Sequence, residues 1–261
     1  MGRAFRVFEG RFGRLLLSDL APKTELRAAE DPVIVLRNGE ILFLNPGEAC
    51  VEREAKRALV FHAARDWLRE SFPAVFAGEG KPFSEQRAEA TARIRQLGET
   101  LAIEVLNDRF LSSERLEFML QELVLSIVET YLVGRRASAL WRGSRFEDLR
   151  VRRAIALLRA HPNKDLSMDE LANQVGLSRS RFYDIFQLCT GFSPRTYLDL
   201  LCIEAAIARL SSGRGTIAEL SAELGFSAQS NFTRFFMNQV GVAPSEYRRA
   251  ASRPGTSSDP E

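Results

Sequence analysis

The last hundred residues of this chain repeat themselves, and an internal repeat constrains architecture before any single residue does. Glu170-Leu171-Ala172 followed by Val175-Gly176-Leu177-Ser178 recurs 49 positions later as Glu219-Leu220-Ser221 and Leu224-Gly225-Phe226-Ser227. One residue is then inserted and the offset becomes 50, pairing Phe182 with Phe232, Phe186 with Phe236, Gly191 with Gly241, Pro194 with Pro244 and Tyr197 with Tyr247. Each copy reads as a short helix, a Gly-containing turn and a second helix, the outline of a helix-turn-helix. A chain that presents two such helices in tandem is suited to a long, regular object, and duplex DNA is the candidate.

The residues inside each copy agree with that outline. Met168, Leu171, Ala172 and Val175 share one helix face. Gly176 sits at the turn, where left-handed backbone is open to Gly without penalty. Ser178 and Ser227 are expected to cap the second helices. Phe182, Ile185, Phe186 and Cys189 turn inward, as do Phe232, Phe235 and Phe236. That leaves Arg179, Ser180, Arg181, Tyr183, Asp184 and Gln187 facing outward in the first copy, and Gln229, Ser230, Asn231, Thr233 and Arg234 in the second. Such side chains on the N-terminal half of a helix are those that read base edges and hold phosphates.

From Leu166 to Arg249 the pattern resembles the DNA-binding domain of the AraC/XylS transcriptional regulators. It is carried by LSMDELANQVGLSRSRFYDIFQLCTGFSPRTYL and TIAELSAELGFSAQSNFTRFFMNQVGVAPSEYRR, each copy closing on Gly-x-x-Pro-x-x-Tyr. The resemblance implies a long helix joining the two units, here Pro194 to Leu210, and two recognition helices in successive major-groove segments about 34 Å apart. Position by position, it places base contacts on Ser180, Tyr183 and Asp184 in the first recognition helix, and on Gln229, Ser230, Asn231 and Arg234 in the second. It further implies promoter DNA and RNA polymerase as partners, a homodimer, and a small-molecule effector of unspecified identity. Three departures weaken the grip on phosphates: Cys202 in the joining helix, and Gln187 and Met237 after the recognition helices, stand where the family often has basic residues. Asp184 adds a negative charge, useful only if it accepts from a cytosine amino group. One protomer is therefore expected to bind modestly, with dimerisation, DNA bending or polymerase contacts supplying the rest.

Composition is silent on the partner but excludes several classes. The chain has 261 residues, 27% charged, with a net charge of +2, so nucleic-acid binding rests on where charge is placed. Three cysteines, Cys50, Cys189 and Cys202, lack the spacing of a disulfide framework or zinc site. No apolar run approaches membrane-spanning length and no signal-peptide core opens the chain, so a soluble, cytoplasmic protein is expected. Only His62 and His161 are present, too few for a metal-dependent cupin, and Gly78-Glu79-Gly80-Lys81 is not a phosphate loop. An enzyme fused to the DNA-binding part, such as an alkylation-repair protein, needs clustered cysteines, and Cys50 stands alone in its half. No catalytic residue, cofactor or metal is expected.

The rest of the chain is organised differently. Val33 to Arg37, Asn38-Gly39 and Glu40 to Leu44 form a hairpin signal. Phe5–Phe8, Arg14–Ser18, Cys50–Arg53 and Ala58–His62 are further strand candidates. Many short strands with tight turns argue for a small barrel or sandwich, and by analogy with the sensor end of many AraC/XylS proteins a small N-terminal β-barrel, cupin-like, is expected. Two helical patterns follow, Ser84 to Asn107 and Ser113 to Val133, the second apolar on two faces and a candidate dimer seam. The fold class is thus α+β and multidomain. Residues 1–83 form a β-rich cupin-like sensor domain, 84–134 a helical hairpin for dimerisation, and 135–144 a linker. Residues 145–251 form the all-α double helix-turn-helix domain, and 252–261 a disordered tail. The function expected is that of a sequence-specific transcriptional regulator, an activator, under control of its N-terminal domain. Switching by a protein partner instead of a small molecule is the alternative. Arg37, Glu52, Arg53 and His62 are the polar residues that would line a ligand site if they faced inward.

Overall fold

A computed structural model describes residues 3–37, 39–54, 56–76, 81–106, 112–132 and 141–251. Asn38, most of the 135–144 linker and the 252–261 tail lie outside the described residues. The chain divides into two compact units, with their main boundary between Glu147 and Asp148.

In the first unit eight strands are present among the described residues: β1 (Arg3–Gly10), β2 (Gly13–Leu20), β3 (Glu25–Arg27), β4 (Val33–Arg37), β5 (Glu40–Leu44), β6 (Ala49–Val51), β7 (Lys56–Ala63) and β8 (Arg87–Glu89). Six form an antiparallel sheet in the order β1-β2-β7-β4-β5-β8, and β3 pairs with β6 separately. The sheet is open, with β1 and β8 as unjoined edges, so the closed barrel expected from sequence is corrected to two sheets. The reason lies in β4, β5 and β7, which are buried on both faces and need cover on each side. On one face Val33, Val35, Leu42, Leu44, Ala58 and Val60 form a core capped by Leu26 and Cys50 of the small sheet. Arg37, on that same face, forms a buried ion pair with Glu52, whereas Arg53 is exposed and His62 half-buried. The interior polar groups thus neutralise one another.

The opposite face, with Leu15, Leu17, Ile34, Leu36, Phe43 and Phe61, is covered by helices. Phe61 meets Trp67 of α1 (Arg65–Ser71), and Phe43 stacks on Phe83 at 4.4 Å between ring centres. Short helices α1 and α2 (Pro73–Phe76) have no counterpart in the sequence reading. The expected helix from Ser84 begins only at α3 (Ala92–Leu106), because Arg87–Glu89 instead pair with β5 as strand β8. Helix α4 (Ser113–Ile127), continued by a π-helical turn Val128–Leu132, buries residues on every face, including the ion pair of Arg115 with Glu104 of α3. Its two apolar faces are covered within the chain, which leaves α3 as the helix of the pair with an exposed side, at Arg95, Glu99 and Leu106. Residues 141–147 belong to this unit too. Phe146 stacks on Phe72 at 5.5 Å, and the Ser144 hydroxyl donates to the Ser71 carbonyl.

The second unit is all helical: α5 (Leu149–Ala160), α6 (Met168–Gln174), α7 (Arg179–Thr190), α8 (Pro194–Ser211), α9 (Ile217–Glu223), α10 (Gln229–Val240) and α11 (Pro244–Ala251). The first helix of this unit starts at Leu149, where Asp148 caps it by accepting from the Arg150 amide. The repeat is geometric as well as textual. In each copy the aromatic of the closing motif is buried edge-on against the recognition helix: Tyr197 on Phe186 at 5.2 Å, Tyr247 on Phe236 at 5.6 Å. Gly191 and Gly241 end α7 and α10 in left-handed backbone, at φ 81° and 88°. Among the described residues no helix is long and apolar enough to cross a membrane.

Candidate nucleic-acid interface

Each candidate helix is anchored by aromatics on its inner side, which decides what its outer side can show. In α7, Phe182 and Phe186 are fully buried at a spacing of four, so Arg179, Ser180, Arg181 and Asp184 are exposed and Tyr183 half-buried. In α10, Phe232 and Phe236 do the same; Gln229, Ser230 and Arg234 are exposed, Asn231 and Thr233 half-buried. All ten sequence-chosen residues therefore lie on the outer or flanking surface of their two helices. Phe235, expected inside, is only half-buried and packs beside Phe226 at 5.1 Å.

The two faces differ in how free their groups are. In α7 the Arg179 guanidinium is committed sideways, paired with Asp169 of α6 at 3.0 Å and lying over the Tyr183 ring at 5.7 Å. Arg181 and Asp184 pair with no other described residue. On α10 a chain of hydrogen bonds orients the outer groups: Arg234 donates to the Asn231 carboxamide oxygen at 3.1 Å, and the Asn231 amide donates to Ser227 Oγ at 3.0 Å. Gln229, Ser230, Thr233, Arg234, Met237 and Asn238 line one shallow groove along this helix. Asn238 was missed by the sequence reading; its position one turn beyond Arg234 was the available signal.

The helix starts also differ. Ser178 caps α7, its hydroxyl accepting from the Arg181 amide at 3.4 Å. Ser227 was expected to do the same for α10 but does not. The inserted residue makes Ala228 the N-cap, without a side-chain hydrogen bond, and frees Ser227 for Asn231. Helix α9 is closed by a reciprocal box in which Thr216 accepts from the Glu219 amide and Glu219 from the Thr216 amide. Burial pushes the Cys202 thiol of α8 up to about 12, and Lys164 and Arg195 only partly oppose it; this is a neutral, inert side chain.

The model of a helix-turn-helix domain family matches residues 171–250. A putative AraC-like transcription regulator of Streptomyces lividans is 28% identical over 101 residues, 39% of this chain and 33% of that protein. Residues 171–250 are an AraC-type helix-turn-helix domain. An uncharacterized HTH-type transcriptional regulator of Haemophilus influenzae is 27% identical across 106 residues, 41% of this chain and 36% of its own length. The chain thus spans about a third of the length of the curated relatives it matches. Among solved structures, a transcriptional regulator of Chromobacterium violaceum described as AraC-type DNA-binding domain-containing is 27% identical, over 41% of this chain and 95% of that one, with a TM-score of 0.37. The AraC-type domain here carries both helix pairs and the joining helix α8, and its match stops short of α5 and the whole first unit.

Proposed function

We propose that this protein is a sequence-specific, DNA-binding transcriptional regulator, and an activator, whose AraC-type domain lays α7 and α10 into successive major-groove segments. The observation that carries the reading is the pair of repeated, aromatic-anchored helices with polar outer faces. Gln229, Ser230, Asn231, Thr233 and Arg234 on α10 are the principal base readers, because Asn231 holds Arg234 in place and leaves Gln229 unengaged. Arg179, Ser180, Arg181, Tyr183 and Asp184 contribute from α7, with Arg179 supplying less than its charge implies while Asp169 holds it. RNA polymerase is the protein partner that an activator requires, and a homodimer supplies the affinity that one protomer with few phosphate-facing cations lacks.

Control by the first unit is part of the proposal. A cavity of about 340 Å³ between α3 and the helix-covered sheet face has apolar walls at Leu17, Leu36, Leu59 and Ile94 and charged groups at Arg57, Arg95 and Glu99. That volume suits a small amphipathic effector and favours a small molecule over a protein partner as the switch. The small-sheet side, closed by the Arg37–Glu52 pair, favours no ligand.

Selection of bound duplexes from a random pool with the full chain tests the reading. The expected result is a motif of two half-elements about 10–10.5 base pairs apart. Enrichment of no sequence at any salt concentration would overturn it.

A further inference from the structure

The two helix pairs are copies, yet one connection in the domain has no copy. The loop between α5 and α6 carries Asn163, Lys164 and Asp165, and it reaches into the second half of the domain at three places. Its backbone binds the turn of the second pair: the Lys164 amide donates to the Leu224 carbonyl at 2.9 Å, and the Asn163 side-chain amide to the Glu223 carbonyl at 3.4 Å. These are carbonyls at the end of α9, where helical partners have run out. The contact is close enough that a Cβ on Gly225 would stand 1.9 Å from Asn163 Oδ1. The Lys164 ammonium then lies 4.8 Å from the centre of the Phe235 ring on α10 and forms an ion pair with Asp199 of the joining helix. Finally, Arg195 of the same helix donates to the Lys164 carbonyl at 3.1 Å.

The loop is itself stiff. Asn163 Oδ1 accepts from the Asp165 amide at 2.8 Å, and the Asn163 carbonyl from the Leu166 amide at 3.1 Å, an Asx turn leading directly into the Ser167 cap of α6. The side chain of Lys164 is only 13% exposed, so its pairing with Asp199 is screened far less than a surface ion pair. The positions 49 later, Ser212 to Arg214, make no such bridge; the Ser212 hydroxyl turns back to the Arg209 carbonyl.

We infer that Asn163 and Lys164 are positioning residues that set the orientation of α10 relative to α7, and with it the half-element spacing the protein accepts. The inference rests on the DNA-binding reading for its consequence but not for its geometry. Shifting one half-element by a base pair turns its groove by about 35° around the duplex, a mismatch that a rigid domain feels and a loose one absorbs.

Two measurements on the full chain separate these levels. Spin labels at Gln187→Cys and Asn238→Cys, with Cys50→Ser, report the distance distribution between the ends of α7 and α10. Lys164→Ala is expected to broaden that distribution about twofold, Lys164→Arg to keep the wild-type width, and Asp199→Asn to act as the milder variant if Lys164→Ala unfolds. A wild-type width in Lys164→Ala, or in Asp199→Asn where that variant stands in, would overturn the inference. In the second measurement, wild type is expected to prefer its selected spacing roughly tenfold over one base pair more or less, and Lys164→Ala to lose most of that preference. Retention of the full preference by the variant would also overturn the inference, whereas a wild type that binds no duplex would sink the DNA-binding reading and leave the spin-label result standing.

Discussion

At the residue scale the domain distinguishes glycines that only turn the chain from one that also makes room. Gly176 and Gly225 occupy equivalent turns at φ 73° and 75°, but only Gly225 faces a neighbour, Asn163. Gly176→Ala is expected to cost about 1–2 kcal/mol, the penalty of left-handed backbone for a residue with a Cβ. Gly225→Ala should cost distinctly more, since the loop at Asn163 must also move; equal losses in chemical denaturation would contradict this packing. Among the outward residues, Arg234→Ala and Gln229→Ala should each lower specific binding by roughly 1–3 kcal/mol. Arg179→Ala should cost less, because Asp169 already holds that guanidinium; titration of the enriched duplex by fluorescence anisotropy checks the order. The identity of the outward residues was legible in the sequence from the spacing of Phe182, Phe186, Phe232 and Phe236. The pairing of Arg179 with Asp169 was not, since it depends on how α6 crosses α7.

At the scale of elements the single inserted residue matters more than its size suggests. It moves the N-cap of α10 to Ala228 and leaves Ser227 outside the helix. Ser178→Ala is therefore expected to cost about 1 kcal/mol of stability as a lost N-cap, and Ser227→Ala less than about half of that. Comparable losses in the two thermal melts would mean that the second serine caps after all. Strands β4 and β5 were legible from Val33 to Leu44 because two continuous apolar runs flank an Asn-Gly turn signal there. The strand at Arg87–Glu89 was not, since its three residues carry no apolar pattern and owe their conformation to the edge of β5. Helix α4 shows the limit of periodicity in another way: its two apolar faces were visible, but not the buried ion pair of Arg115 with Glu104 of α3. Arg115→Met should destabilise the protein by about 3–5 kcal/mol by stranding Glu104, and the double variant with Glu104→Leu should recover much of it. A double variant as unstable as the single one would contradict this account of the pair.

At the scale of the whole molecule, two units with different chemistry share one chain. The first responds to acid through His62, which burial holds below the usual imidazole range, with Arg14 adding to the effect and Asp31 opposing it. The unfolded chain therefore binds the proton more readily than the folded one. Stability from this group is complete above about pH 6.5 and is lost as pH falls from there through the lower folded value. The stability of wild type relative to His62→Gln should fall on acidification, and a difference in denaturation midpoints independent of pH would exclude this linkage. The second unit has a plan that the repeat made legible down to its closing tyrosines, whereas the first unit's open sheet and covered α4 depended on long-range pairing that no local pattern records. On the proposed function, α7 and α10 each read their own half-element. Selection from a random duplex pool, run in parallel with wild type, Tyr183→Ala and Arg234→Ala, tests it most directly. Each variant is predicted to relax base preference in a different half of the motif while leaving the other half intact. Loss of preference in both halves from either substitution, or an unchanged motif from both, would contradict the claim.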